Sequence, residues 1–175
     1  MENYTKFKLK APEELASILA GKNNLFVVAC NKCFKEFDAI YEPECAEFVK
    51  IATEMGKTIT GSVNVDFLCN QTKTEATLSK IIPEGTDHIV VLSCGLGIQL
   101  VADVTKKSVL AGTNTINYTG HHGMALTKKA CDACAQCYLN VTGGICPIVD
   151  CSKSLVNGQC GGAKDGKCEI GRAHV

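Results

Sequence analysis

Leu25-Phe-Val-Val-Ala-Cys30 is apolar throughout and does not alternate with polar residues, and His88-Ile-Val-Val-Leu-Ser-Cys94 nearly repeats the pattern. A strand with one wet face alternates, whereas a strand covered by helices on both faces reads as a continuous apolar run. The first stretch therefore predicts a strand buried on both faces of a parallel sheet, and the second predicts a further strand. The flanking segments carry helical spacing. Pro12 can open a short helix with Leu15, Ile18 and Leu19 on one face and Gly21 as its stop. Residues 42 to 55 place Cys45, Phe48, Val49 and Ala52 together, so Cys45 reads as core packing. Thr58 to Leu68 predicts another strand, Thr72 to Ile82 a helix stopped by Pro83, and Ile98 to Lys106 a further helix. Val109 to Ala111 starts a fourth strand ahead of the polar loop GTNTINYTGHHG. Strands alternating with helices predict an α/β fold with a small, open, mostly parallel, Rossmann-like sheet.

From about Gly120 the character changes, because the chain becomes rich in Cys and Gly and loses periodicity. We expect an α/β domain over residues 1–120 and a cysteine-rich domain over 121–175, the latter held by metal because it lacks apolar residues for a core of its own. Eighteen basic and eighteen acidic residues cancel, which argues against nucleic acid or an anionic membrane surface as partner. The amino-terminal stretch has no apolar signal region, and no uninterrupted apolar run approaches the roughly 20 residues that cross a bilayer, so a cytoplasmic location is expected. Thiols stay reduced there, so twelve cysteines point to metal ligation rather than disulfides.

Two cysteine constellations stand out. Cys30, Cys69 and Cys94 each lie at or just beyond the end of a predicted strand. In a parallel sheet those ends open on one edge, where ligands of open α/β folds bind. Cys33 adds a fourth thiol through Cys30-Asn-Lys-Cys33, and four thiolates are what a cubane iron–sulfur cluster requires. The plainer alternative makes Cys69 and Cys94 small buried hydrophobes. A thiol–disulfide oxidoreductase using Cys30 and Cys33 is another, although Phe34-Lys-Glu-Phe37 carries no matching redox signature. Gly95 and Gly97 lack the third glycine of a dinucleotide fingerprint, since Leu100 takes its place. Glycines here would instead let backbone amides approach cluster sulfurs.

Cys131, Cys134 and Cys137 open the second constellation at uniform Cys-x-x-Cys-x-x-Cys spacing, a repeat that favours iron–sulfur ligation over the paired knuckles of zinc ribbons. Cys146, followed by Pro147, or Cys151 supplies a fourth ligand. Cys160 and Cys168 complete this centre, form another, or pack the knot. Seven thiols do not divide by four, so some are structural or another ligand joins, with His121 and His122 the nearest candidates. Zinc remains open for this region. Outside the thiols no general acid, base or nucleophile stands out; Asp66 and Glu169 read as surface or capping carboxylates.

Four stretches carry a family resemblance: Cys94-Gly-Leu-Gly-Ile-Gln99, Thr142-Gly-Gly-Ile-Cys-Pro147, Cys151-Ser-Lys-Ser-Leu-Val-Asn-Gly-Gln-Cys-Gly-Gly162 and Gly166-Lys-Cys-Glu169. From about Leu25 to Ile170 the chain resembles the small, cysteine-rich subunit of the methylenetetrahydrofolate reductase of acetogenic bacteria. That family has proline where Gln159 stands here, a difference in turn stiffness rather than in a ligand. The resemblance implies one or two 4Fe–4S clusters and a larger TIM-barrel partner that binds flavin. The complex would reduce methylenetetrahydrofolate to methyltetrahydrofolate in the acetyl-CoA pathway. It also leaves room for a further electron-donor subunit. The chain itself would supply electrons rather than catalyse. The competing expectation is a structural zinc-binding assembly subunit without redox activity.

Overall fold

The computed structural model describes residues 6–31, 43–117, 127–156, 160–165 and 167–168. The element order is β1 (Lys6–Leu9), α1 (Pro12–Ile18), β2 (Asn24–Cys30), α2 (Pro43–Glu54), β3 (Thr58–Val65), α3 (Gln71–Ile81), β4 (His88–Leu92), α4 (Gly95–Thr105), β5 (Ser108–Ala111), β6 (Thr113–Asn117), α5 (Pro147–Asp150), β7 (Ala163–Lys164) and β8 (Lys167–Cys168). Four strands form a parallel sheet in the order β3-β2-β4-β5, with helices between them. A cysteine-rich carboxy-terminal region with little regular structure follows.

Strand periodicity builds the two halves of the core. Along β2, Leu25, Val27 and Ala29 point to one side and pack with Leu15 and Leu19 of the α1 segment and Phe48 and Ala52 of α2. Phe26 and Val28 point to the other and pack with Leu78 of α3 and Ile98 and Val101 of α4. Both faces are covered, which is why β2 and β4 carry uninterrupted apolar runs. The edge strand β3 reads TITGSVNV and alternates between exposed and half-buried positions until Val65. Pro12 occupies the first turn of α1, and Asn70 caps α3 by accepting from the Lys73 amide at 3.1 Å.

Three boundaries differ from the sequence expectation. β3 stops at Val65 rather than Leu68, because Phe67 is left-handed at φ 54° and the chain turns there. α4 begins at Gly95, immediately after Cys94, instead of at Ile98. The expected polar loop after residue 111 starts with a strand: β6 pairs antiparallel with β1, Leu9 opposite Thr113. Lys-Phe-Lys-Leu alternates over only four residues and Thr113–Asn117 is mostly polar, so the two strands are fixed by each other.

The carboxy-terminal region is stitched to the sheet. The Asn140 side chain grips Ala111 of β5 in both directions, accepting from its amide at 2.7 Å and donating to its carbonyl at 3.1 Å. The Ala135 amide donates to the Thr115 carbonyl at 3.0 Å, and the Cys137 amide donates to Asn114 Oδ1 at 2.8 Å. Leu139, 3% exposed, joins the α3–α4 side of the core. Among the described residues, no helix is long and apolar enough to cross a membrane.

Candidate metal centres

The chain runs from β2 outward to β3, then back across β2 to β4 and on to β5. The winding direction thus reverses between β2 and β4, the position where open α/β sheets form a ligand crevice at the carboxyl ends. Cys30 ends β2, and Cys94 lies two residues past β4 as the residue before α4. Cys69 closes the turn after β3 that Phe67 bends back. Cys69 and Cys94 are 8% and 7% exposed, and they pack with Phe7 and Leu96 in one cluster that also touches Cys30, Phe67 and Cys131. The three strand-end cysteines are therefore brought to one place. Cys33 lies outside the described residues, as do His121, His122 and Glu169.

A pocket of about 340 Å³ opens beside Cys30, bounded among the described residues by Phe7, Asn64 and Leu92 on the sheet side and by Glu44, Cys45 and Val49 of α2. Cys45 thus faces the same cavity as Cys30, as well as packing against the α1–α2 side of the core. Sequence reasoning put it wholly in the core, because helical periodicity cannot tell the rim of a core from its centre. Asp66 accepts from the Asn31 side chain at 2.6 Å and faces Lys73 at 3.7 Å, a bracing role for the turn.

Gly95 and Gly97 both sit where a side chain would collide. A Cβ on Gly95 would come within 2.7 Å of Cys131 Sγ, and one on Gly97 within 2.2 Å of Ser93 Oγ and 3.0 Å of Leu68 Cβ. The Gly95 amide donates to Thr115 Oγ1 at 2.8 Å. In this structure that amide is directed to a protein oxygen, and Gly97 serves close packing of α4 on the β3–α3 turn.

Cys131, Cys134, Cys137 and Cys146 line one small pocket of about 20 Å³, closed by Gly95, Gln99 and Leu139. The loop bends through two left-handed alanines on either side of Cys134, Ala133 at φ 48° and Ala135 at φ 58°, and Cys134 itself stays exposed. Such backbone costs roughly 1 kcal/mol or more per non-glycine residue and persists only where surroundings impose it. Cys146 reaches the pocket from the position preceding α5, which Pro147 opens. Burial pushes the Cys137 thiol up to about 11, opposed by the Leu139 amide and Lys10 and reinforced by Cys131 and Cys146. Burial likewise raises Cys146, with Cys131 and Cys134 adding to it. Lys10, a fully buried side chain, donates to Glu14, to Asn114 Oδ1 at 2.7 Å and to the Cys137 carbonyl at 3.4 Å.

Cys151, Cys160 and Cys168 do not line this pocket. Cys160 is exposed, with Lys153 Nζ 3.8 Å from its sulfur, and its carbonyl accepts from the Ala163 amide at 3.3 Å. Cys168 pairs with Ala163 across the β7–β8 hairpin.

The donor set fits a metal group by its chemistry. Thiols crowded together are hard to ionise together unless a cation compensates them, and soft thiolates select zinc or iron–sulfur clusters. Gln99 supplies a second sign. Its Nε2 donates to the Gly95 carbonyl at 3.0 Å and the Ala130 carbonyl at 2.6 Å, which leaves its Oε1 buried without a partner at the pocket wall. Among the described residues, no three Cys, His, Asp or Glu side chains are already drawn into a single-ion arrangement.

Fold and site together define an α/β protein whose sheet edge and carboxy-terminal loop gather thiols. Residues 110–174 match the family described as methylene-tetrahydrofolate reductase C terminal, a stretch that runs from the end of β5 through all seven carboxy-terminal cysteines. The match links the chain to methylenetetrahydrofolate reductase, and so to one-carbon metabolism, through that region. No curated protein and no solved structure matched the chain.

Proposed function

We propose that this chain is the iron–sulfur electron-transfer subunit of a methylenetetrahydrofolate reductase. It passes electrons to the flavin of a TIM-barrel partner that reduces methylenetetrahydrofolate to methyltetrahydrofolate in the acetyl-CoA pathway. The observation that carries the reading is the convergence of Cys30, Cys69 and Cys94 at the reversal point of the sheet, beside a carboxy-terminal region related to this reductase. Cys30, Cys69 and Cys94, with Cys33, would hold one group; Cys131, Cys134, Cys137 and Cys146 would hold the other. Iron–sulfur clusters supply single-electron transfer, and a flavin can collect two electrons and deliver hydride. The chain's own part is to hold the thiolates: Phe7 and Leu96 shield the sheet-edge set, and Leu139 backs the loop set, whose Cys134 stays exposed.

Four thiols lining one pocket also suit zinc, so zinc in the loop set with a cluster at the sheet edge is the second reading. Anaerobic purification tests both. Iron and sulfide in cluster ratio, a brown colour bleached by dithionite, and electron delivery to a flavin-loaded partner are expected. Zinc in place of all iron would leave only the structural role, and metal-free protein with a rapidly alkylated Cys30 would point to thiol exchange instead.

A further inference from the structure

Cys131 stands in both thiol groups. It packs at the margin of the cluster that contains Cys69 and Cys94, and it lines the loop pocket with Cys134, Cys137 and Cys146. The two roles meet over Gly95, the residue that follows Cys94. No side chain intervenes there, and a Cβ would lie 2.7 Å from Cys131 Sγ, closer than real contacts allow. The position is held from both sides. The Gly95 amide is tied to Thr115 Oγ1 at 2.8 Å, and the carbonyl of Ala130, just before Cys131, accepts from Gln99 at 2.6 Å, while the same Gln99 nitrogen binds the Gly95 carbonyl at 3.0 Å. Gln99 therefore clamps the start of α4 to the start of the cysteine loop.

Resting on the function proposed above, we infer that Cys131 is the junction of the two metal groups, with Gly95 as the positioning residue that sets their spacing. Linear spacing assigns Cys131 to the loop alone. Its packing against the apolar cluster that holds Cys69 and Cys94 makes the two groups neighbours, so that the charge state of one alters the energy of the other. With a cluster in each group, Cys94, Gly95 and Cys131 would offer an electron a path between them that crosses no bulky side chain.

The test compares full-length protein, purified without oxygen, with its Cys94→Ser, Cys134→Ser, Cys131→Ser and Gly95→Ala variants. Iron, sulfide and zinc per chain are measured, together with the midpoint potential of the dithionite-reducible group. Cys94→Ser and Cys134→Ser should each empty one group. Cys131→Ser should lower the metal content of both. Gly95→Ala keeps every thiol and should shift the potential, because its methyl group displaces Cys131. If Cys131→Ser matches Cys134→Ser in metal content and Gly95→Ala has the parental potential, the junction is overturned while the proposed function stands. If Cys131→Ser fails to fold, judged by circular dichroism, Gly95→Ala decides alone. A parental protein without metal removes the function and the junction together.

Discussion

The sheet-edge cysteines and the loop cysteines solve the same problem by opposite means. Cys30 and Cys94 sit at the ends of β2 and β4, whose Val27, Val28, Val90 and Val91 are fully or almost fully buried, so their positions are set by a core that forms without them. Cys131, Cys134 and Cys137 lie on a loop with two left-handed alanines and no regular hydrogen-bonded element, held to the sheet by a few bonds and by Leu139. A ligand set on strand ends is pre-organised by hydrophobic burial, whereas one on a loop depends on the group it binds.

This contrast breaks first, and most visibly, in the loop. Structural zinc in small thiolate domains supplies on the order of 10 kcal/mol of folding free energy. Cys134→Ser should accordingly expose the carboxy-terminal region to limited proteolysis, with cuts beyond residue 140, where the hydrogen-bond anchors to β5 and β6 end. Uniform protection of that variant would show the loop to be self-supporting. Next in size is Leu139→Ala. Removing a core side chain costs about 2–5 kcal/mol, and the loss should appear in denaturant unfolding of the whole protein, since Leu139 belongs to the sheet's own core. A transition confined to the carboxy-terminal region would instead mark Leu139 as part of a separate unit.

Asn140→Ala strands the Ala111 amide and carbonyl and should cost about 1–3 kcal/mol, with faster hydrogen exchange at Ala111 as its local signature. Unchanged exchange there would mean that water replaces the side chain. Cys94→Ser sharpens the comparison from the other side. It should empty the sheet-edge group while the circular dichroism of the sheet stays as it was; a collapse of secondary structure would show that this set also needs its metal to fold. The smallest effect is expected for Ala133→Gly, which relieves left-handed strain and should stabilise the metal-loaded chain by about 0.5–1 kcal/mol.

Legibility in the sequence followed the strength of local pattern. The runs at Leu25 and His88 were legible as strands because burial leaves them continuously apolar, and the gathering of the thiols at their ends followed from parallel geometry; that both are central is seen in the strand order. β1 and β6 were missed because the Lys-Phe-Lys-Leu alternation spans only four residues, Thr113–Asn117 has a single apolar side chain, and the two owe their conformation to each other. The start of α4 at Gly95 was missed because two glycines argue against a helix locally, while close packing on Ser93 and Cys131 demands them. Cys45 on the pocket rim and the buried Lys10 under the cysteine loop had no sequence signal beyond an amphipathic face and a lysine near a helix start.

By itself, the order of apolar and polar residues determined an α/β sheet with cysteines at its strand ends and a thiol-rich tail, because periodicity and strand direction are local consequences of burial. Only the tertiary structure decided that Cys146 rather than Cys151 joins Cys131, Cys134 and Cys137 around one pocket, and that Cys131 also packs against the apolar cluster holding Cys69 and Cys94. Those choices depend on where Gln99, Thr115 and Asn140 pin the loop against the sheet, and hydrogen bonds between residues far apart in the chain leave no trace in its local pattern.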